Sequence, residues 1–239
     1  MSTLNKSKLL EINSLKAWYN SDKKILKDFS LELYENEVVG LIGLNGAGKT
    51  TFLKVLTGLL KGYEVTDKKY KNSEFDFRKN NFKNSRYIVF AEDSSFQYFT
   101  FREYLAYVSS AYKKELTNVE ELIEGFHFKE YENSLLKDLS TGNQKKAFLI
   151  AGFALRPELL LLDEPVNGLD FQSTEFLYSH IAGYKKYGTV LFSSHILESI
   201  TLTSDRVLVL ENGEISKSFI GNEIKPEVIR EALQYEDVI

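Results

Sequence analysis

Gly43-Leu44-Asn45-Gly46-Ala47-Gly48-Lys49-Thr50-Thr51 follows an apolar run, Val38-Val39-Gly40-Leu41-Ile42, and leads into Phe52, Leu53, Val55, Leu56, Leu59 and Leu60, which recur at helical spacing. The pattern is a buried strand, a glycine loop and a helix. Gly43, Gly46 and Gly48 tolerate positive φ and carry no Cβ, so successive backbone N–H groups can turn inward around phosphate oxygens. The helix opening near Lys49 adds free amide donors and the positive end of its dipole. Lys49 is then placed to reach β- and γ-phosphates, and the Thr50 hydroxyl to ligate the Mg²⁺ that bridges them. Asn45, Gly46, Ala47, Gly48, Lys49, Thr50 and Thr51 are therefore the candidate nucleotide-binding residues of this loop. A glycine-rich turn with a surface lysine is the plainer alternative, and the complete GxxxxGK[ST] spacing between strand and helix argues against it.

Working outward, the chain offers further strands that end in charge. Leu159-Leu160-Leu161-Leu162 stops at Asp163-Glu164-Pro165, as expected of a central parallel strand with carboxylates at its carboxyl tip. Asp163 would hold Mg²⁺ opposite Thr50, and Glu164 would polarise the water that attacks a γ-phosphate. Thr189-Val190-Leu191-Phe192 leads to Ser193-Ser194-His195. A histidine at that sheet edge can hydrogen-bond the γ-phosphate and the attacking water. Arg86-Tyr87-Ile88-Val89-Phe90 ends near Glu92-Asp93, which makes Glu92 a third candidate metal ligand, with a solvated loop pair as the alternative. His180 falls on a helical stripe with Phe176, Leu177, Ile181 and Tyr184 and reads as packing.

The remaining segments supply the frame. Residues 9–19 and 25–34 alternate as two strands joined by the polar turn Asn20-Ser21-Asp22-Lys23. Trp18 and Tyr19 at the first strand's end are candidates to stack on a purine, or simply to pack. Residues 62–85 show little periodicity beyond Phe75-Asp76-Phe77, and short edge strands and loops are expected there. Thr100-Phe101-Arg102-Glu103 is a capping box before a helix, and Asn118 with Glu121 suggests a second. Ser140 precedes another helix with Thr141 and Gly142 at its tip, a weak signal for an anion and the usual one for an ordinary cap. Residues 207–210 and 214–218 flank Asn212-Gly213 as a hairpin, and a short helix is expected around 226–234.

These elements predict an α/β protein: a P-loop NTPase core with a mostly parallel central sheet, an N-terminal antiparallel β subdomain and an inserted α-helical subdomain. The expected division within one ATPase domain is 1–99 for the β subdomain and loop core, 100–155 for the helices, 156–220 for the rest of the core and 221–239 for a helical tail. At 239 residues, with 43% hydrophobic and 27% charged side chains, the chain has the composition of a soluble globular protein. A net charge of −4 argues against a nucleic-acid partner. Cysteine is absent, which removes disulfides, thiolate metal sites and thiol catalysis. The polar start lacks a signal-peptide core, and no apolar run approaches the ~18 residues of a membrane span. Any anchor at a membrane must come from elsewhere.

Over about residues 9–218 the ordered set resembles the ATP-binding cassette ATPases. The matching pieces are the phosphate loop, Leu139-Ser140-Thr141-Gly142-Asn143-Gln144 in the signature's place, Leu162-Asp163-Glu164-Pro165, Gly168-Leu169-Asp170 and Ser194-His195. The resemblance implies an ATPase with Glu164, His195 and Lys49 catalytic, Tyr19 stacking on adenine with Trp18 second, and Asp170 in the loop that joins two cassettes. It implies that Ser140, Thr141 and Gly142 of one copy face the ATP of another, in a homodimer closing on two ATP molecules. Two departures stand out. Glu92 occupies the place of the family's metal-contacting glutamine, and Thr141 and Asn143 replace a glycine and a glutamine, with Thr141 adding bulk that implies weaker or slower closure. The implied role is to power a separate transmembrane permease from the cytoplasmic, inner face of the cell membrane. The exporter branch for drugs, peptides or lipids is the finer expectation. A soluble ATP-driven clamp or switch acting on ribosomes or DNA, and a regulatory nucleotide binder with negligible turnover, are the alternatives. Lys49→Ala is expected to abolish ATP binding in a fluorescent-nucleotide titration; nanomolar-to-micromolar binding retained by the variant would show the loop to be misread.

Overall fold

A computed structural model of the protein describes residues 6–20 and 23–233. Ser21 and Asp22 of the expected turn, and the end of the expected tail from Gln234, lie outside the described residues.

The first two strands form as their alternation requires: β1 (Lys8–Trp18) and β2 (Lys24–Tyr34) pair antiparallel, with Leu10, Ile12, Leu15 and Ala17 facing Leu26, Phe29, Leu31 and Leu33 in the core. After β3 (Val38–Ile42) and α1 (Lys49–Leu56) comes β4 (Tyr63–Tyr70), paired antiparallel with the other side of β1, and then β5 (Ser73–Glu74) on β4. The expectation of only short edge strands in this region is thus corrected, because β4 is eight residues long and lies inside the order β2-β1-β4-β5. None of its residues is fully buried, so it carries no apolar alternation to betray it. The alternating Phe75 and Phe77 follow β5 as irregular chain and are buried against Phe82 of α2 (Asn80–Lys83). The stripe expected through Leu60 is also shorter: α1 stops at Leu56, and Gly58 at φ +72 turns the chain.

The second sheet combines β3 with β6 (Arg86–Val89), β7 (Leu159–Asp163), β8 (Thr189–Ser194), β9 (Arg206–Glu211) and β10 (Glu214–Ile220) in the order β10-β9-β3-β8-β7-β6. Only β10 runs antiparallel, joined to β9 by Asn212 and Gly213, both at positive φ as a two-residue hairpin turn demands. β3, β7 and β8 are buried at every residue, hence their near-continuous apolar sequences. The period of two divides each strand between two cores. Leu159 and Leu161 join Val39, Leu41 and Leu191 under the antiparallel sheet and α1, while Leu160 and Leu162 join Val38, Ile42 and Phe192 under the helices of the opposite face.

Those helices are α3 (Phe101–Tyr112), α4 (Val119–Gly125), α5 (Thr141–Leu155), α6 (Phe171–Gly183), α7 (Leu197–Thr203) and α8 (Pro226–Ala232). Thr100 and Glu103 form the reciprocal capping box. Asn118 does not. It sits at φ +58, a conformation asparagine tolerates, and its amide donates to the Glu121 carboxylate at 2.7 Å instead of its oxygen capping the backbone. Phe101, Tyr104 and Phe148 of the helices share one hydrophobic core with Val89, Leu160 and Leu162 of the sheet. Tyr87 of β6 hydrogen-bonds Tyr104 of α3 at 2.6 Å and the Phe148 carbonyl of α5 at 3.2 Å. His180 packs on Phe176 and Phe153, as expected of a stripe residue.

Because β3, β8, β7 and β6 are parallel neighbours, their carboxyl ends meet at one sheet edge, with Ile42 beside Ser194 and Asp163 beside Ser193. Phe77→Ala is expected to lower unfolding free energy by about 3–5 kcal/mol, seen as a reduced urea midpoint with an unchanged slope.

Candidate nucleotide site at the carboxyl edge of the parallel sheet

The loop between β3 and α1 needs glycine for two different reasons. Gly46 and Gly48 take φ of +84 and +116, in the left-handed region. Gly43 does not take positive φ. It is required by close approach, since a Cβ there would overlap the Leu210 carbonyl oxygen of β9. The turn delivers Lys49 and Thr50 at the start of α1, where the helix amides have no partners of their own.

Side chains from three strand ends then interlock. The Lys49 ammonium, only 6% exposed, donates to the Gly43 carbonyl at 2.7 Å and lies 3.3 Å from Glu164 Oε1. The Thr50 hydroxyl donates to Asp163 Oδ2 at 2.9 Å, and the Ser193 hydroxyl donates to Asp163 Oδ1 at 2.6 Å. His195 Nδ1 is 2.8 Å from Glu164 Oε2, so the Glu164 carboxylate is gripped on one side by Lys49 and on the other by His195. Asp163 is 1% exposed, and no lysine, arginine or histidine nitrogen of the described residues lies within 4.0 Å of it. A buried carboxylate facing a hydroxyl, with no cation of its own, is a hard-oxygen donor set that suits Mg²⁺ shared with phosphates.

Tyr19, 54% exposed, lines the cleft of about 330 Å³ over this network, together with Ile25, Asn45, Gly46, Gly48 and Thr51. Trp18 turns away: a Cβ on Gly62 would come within 2.8 Å of its Nε1, and Lys24 sits over its ring. Ala47, grouped with the loop from sequence, lines the neighbouring cleft beside Leu210, Glu211 and Asn212 instead.

Four other candidates are not brought to Lys49 in a single copy. Ser140 caps α5 by accepting from the Asn143 amide at 3.3 Å, and both Ser140 and Thr141 are exposed. Gly142 is buried, its Cα against Gly168. The chain beyond β6 carries Glu92 into a second cleft, which Thr141, Gln144 and Lys145 also line.

Sequence reading missed the residues that tie α5 to the acidic turn. Lys145 donates to the carbonyls of Glu164 at 3.0 Å and Asn167 at 2.9 Å, and Lys146 pairs with Asp170 at 2.5 Å. Asp170 also caps α6 through the Ser173 amide. Burial opposes its ionisation, but Lys146 and Ser173 outweigh that and hold its carboxyl well below the usual range. Burial pushes the Lys145 ammonium down, against the pull of Asp163, Glu164 and Glu92. Two lysines one turn inside a helix that reads as apolar were the available signal.

A glycine loop ahead of a helix, facing an acidic strand end across a parallel sheet, defines a P-loop nucleoside triphosphate-binding protein. The family model described as ABC transporter matches residues 26–167, more than half of the chain. The chain is 34% identical over 223 residues to the putative ABC transporter ATP-binding protein AlbC of Bacillus subtilis, covering 90% of this chain and 93% of that relative. It is 31% identical to the ABC transporter ATP-binding protein NatA of the same organism, covering 82% and 83%. The solved structure of an ATP-binding subunit of an ABC transporter superposes with a TM-score of 0.80 at 25% identity, over 94% of this chain and 92% of that one. A nucleotide-free ATP-binding cassette gives 0.76 at 20% identity, over 93% and 95%, a likeness of fold. The chain belongs to the ABC transporter family, as an ATP-binding and ATP-hydrolysing subunit. The transporter reading therefore stands above the soluble-clamp and non-hydrolysing alternatives. Membership implies a membrane partner, and no helix among the described residues is long and apolar enough to cross a membrane.

Gly142→Ala tests the contact between helix tip and loop. The added methyl would overlap the Gly168 carbonyl oxygen, so a loss of about 1–3 kcal/mol in stability is expected. Phosphate release should slow while ATP affinity is kept; an unchanged rate would show the contact to be dispensable.

Proposed function

We propose that two copies of this chain close on two ATP molecules and that hydrolysis reopens them to drive a separate membrane permease. The observation that carries this reading is the convergence of Lys49, Thr50, Asp163, Glu164, Ser193 and His195 from three strand ends on one cleft. Loop amides and Lys49 bind the β- and γ-phosphates, Lys49 exchanging its Gly43 and Glu164 contacts for phosphate oxygens. Tyr19, at the cleft's rim, stacks on adenine. Thr50 and Asp163 would hold Mg²⁺, which when bound would neutralise phosphate charge.

Glu164 accepts a proton from the attacking water, and His195 orients that water and the γ-phosphate. Such a base is worth about 10²–10⁴ in rate. Exposed Ser140 and Thr141, with the amides around Gly142, present a helix tip to the γ-phosphate held by the second copy. Closure then depends on a group that hydrolysis removes.

We place the working protein on the cytoplasmic, inner face of the cell membrane, held there by its permease. Within this reading we assign export of a drug, peptide or lipid, resting on Glu92 standing where the family usually has glutamine; uptake into inside-out vesicles with the co-purifying permease tests it. Glu164→Gln should reduce Mg²⁺-dependent phosphate release by about 10²–10⁴-fold while ATP binding persists and an ATP-dependent dimer accumulates in size-exclusion chromatography. His195→Ala should slow turnover with affinity unchanged. Wild-type turnover in Glu164→Gln, or a monomer at saturating ATP, would overturn the reading.

A further inference from the structure

Lys145 is 6% exposed and lies in the second turn of the helix that Ser140 caps. An ammonium taken out of water is costly unless it is paired and hydrogen-bonded. Lys145 gives its donors to two backbone carbonyls, those of Glu164 and Asn167, at 3.0 and 2.9 Å. The acidic turn it touches is itself under tension. Glu164 has φ +47, a left-handed conformation that a residue with a side chain holds only when its surroundings impose it. Ser193 fixes the amide side of Glu164 through its hydroxyl at 3.0 Å and its carbonyl at 3.2 Å. On the carbonyl side, the contacts are the Asn167 amide at 3.3 Å and Lys145.

We propose that Lys145 is a positioning residue for Glu164: through two carbonyls it holds the left-handed turn that aims the Glu164 carboxylate between Lys49 and His195. The same bonds tie that turn to the helix whose exposed tip carries Ser140 and Thr141. Contact of the tip with a second copy's nucleotide is thereby transmitted to the base of its own chain.

The inference rests on Glu164 acting as the base, and the test separates the two. Single-turnover phosphate release is measured for Lys145→Met, Lys145→Gln, Glu164→Gln and the Lys145→Met/Glu164→Gln double variant, with affinity for a fluorescent ATP analogue alongside. Methionine keeps an unbranched stem close to that of lysine without a donor, whereas glutamine is equally uncharged but retains N–H groups. Lys145→Met should lower the rate about 10- to 100-fold, the scale on which misplacing a catalytic group by about an ångström acts, with analogue affinity within about twofold. Lys145→Gln, reaching one carbonyl in place of two, should lose about 3- to 10-fold. The double variant should be no slower than Glu164→Gln, because a base already removed has no aim to lose.

A wild-type rate in Lys145→Gln overturns the proposal, as does a loss of the same factor with and without Glu164. Wild-type turnover in Glu164→Gln overturns the underlying assignment instead. Should Lys145→Met fail to fold, Lys145→Gln and its double variant with Glu164→Gln complete the same cycle, read by the same two criteria.

Discussion

Parallel pairing of β3, β8 and β7 in one register is the constraint on which the site rests. It sets Ile42 beside Ser194 and Asp163 beside Ser193, so the chain leaves all three strands at the same edge. From there short side chains suffice. A serine on β8 reaches the aspartate on β7, and a threonine on the helix after β3 reaches it from the other side. A slip of one residue would turn each side chain to the opposite face of the sheet and send Asp163 toward the wrong core. The register is secured by fully buried strands whose alternate residues serve two hydrophobic cores, leaving no exposed face on which to slide.

Charge is handled differently at each point of this edge. Lys49, Lys145 and Lys146 are all buried, and each is matched to oxygens of the loop or the acidic turn. Asp163 is buried too, but its hydrogen-bond partners among the described residues are the hydroxyls of Thr50 and Ser193. That asymmetry leaves one carboxylate able to gain from an incoming cation, while the lysines are already satisfied. Glu164 belongs to neither group. Held between Lys49 and His195 on a strained backbone, it occupies a position where a small displacement of either partner redirects it.

The helix led by Ser140 joins these parts. Its body is packed in the core, its first turns grip the loop from Glu164 to Asp170, and its tip is exposed. Gly142 against Gly168 lets the two backbones approach more closely than any side chain would permit. A rigid helix anchored at one end and open at the other is suited to carry displacement between the exposed tip and the acidic turn.

Much of this was legible in the chain itself, wherever the signal is local. The strand, glycine loop and helix around Lys49, the acids after four leucines, the Thr100 capping box and the Asn212-Gly213 hairpin all follow from periodicity and backbone chemistry within a few residues. β4 escaped because a strand with no fully buried residue leaves no apolar alternation, and Asn118 because a capping pattern does not specify the sign of φ. Tertiary structure alone decided that Glu92 shares a cleft with Lys145, that Gly43 is demanded by Leu210, and that Lys145 grips the carbonyl of Glu164. Each of those depends on atoms far apart in the chain, whose meeting is set by sheet register and helix packing and not by any neighbour in sequence.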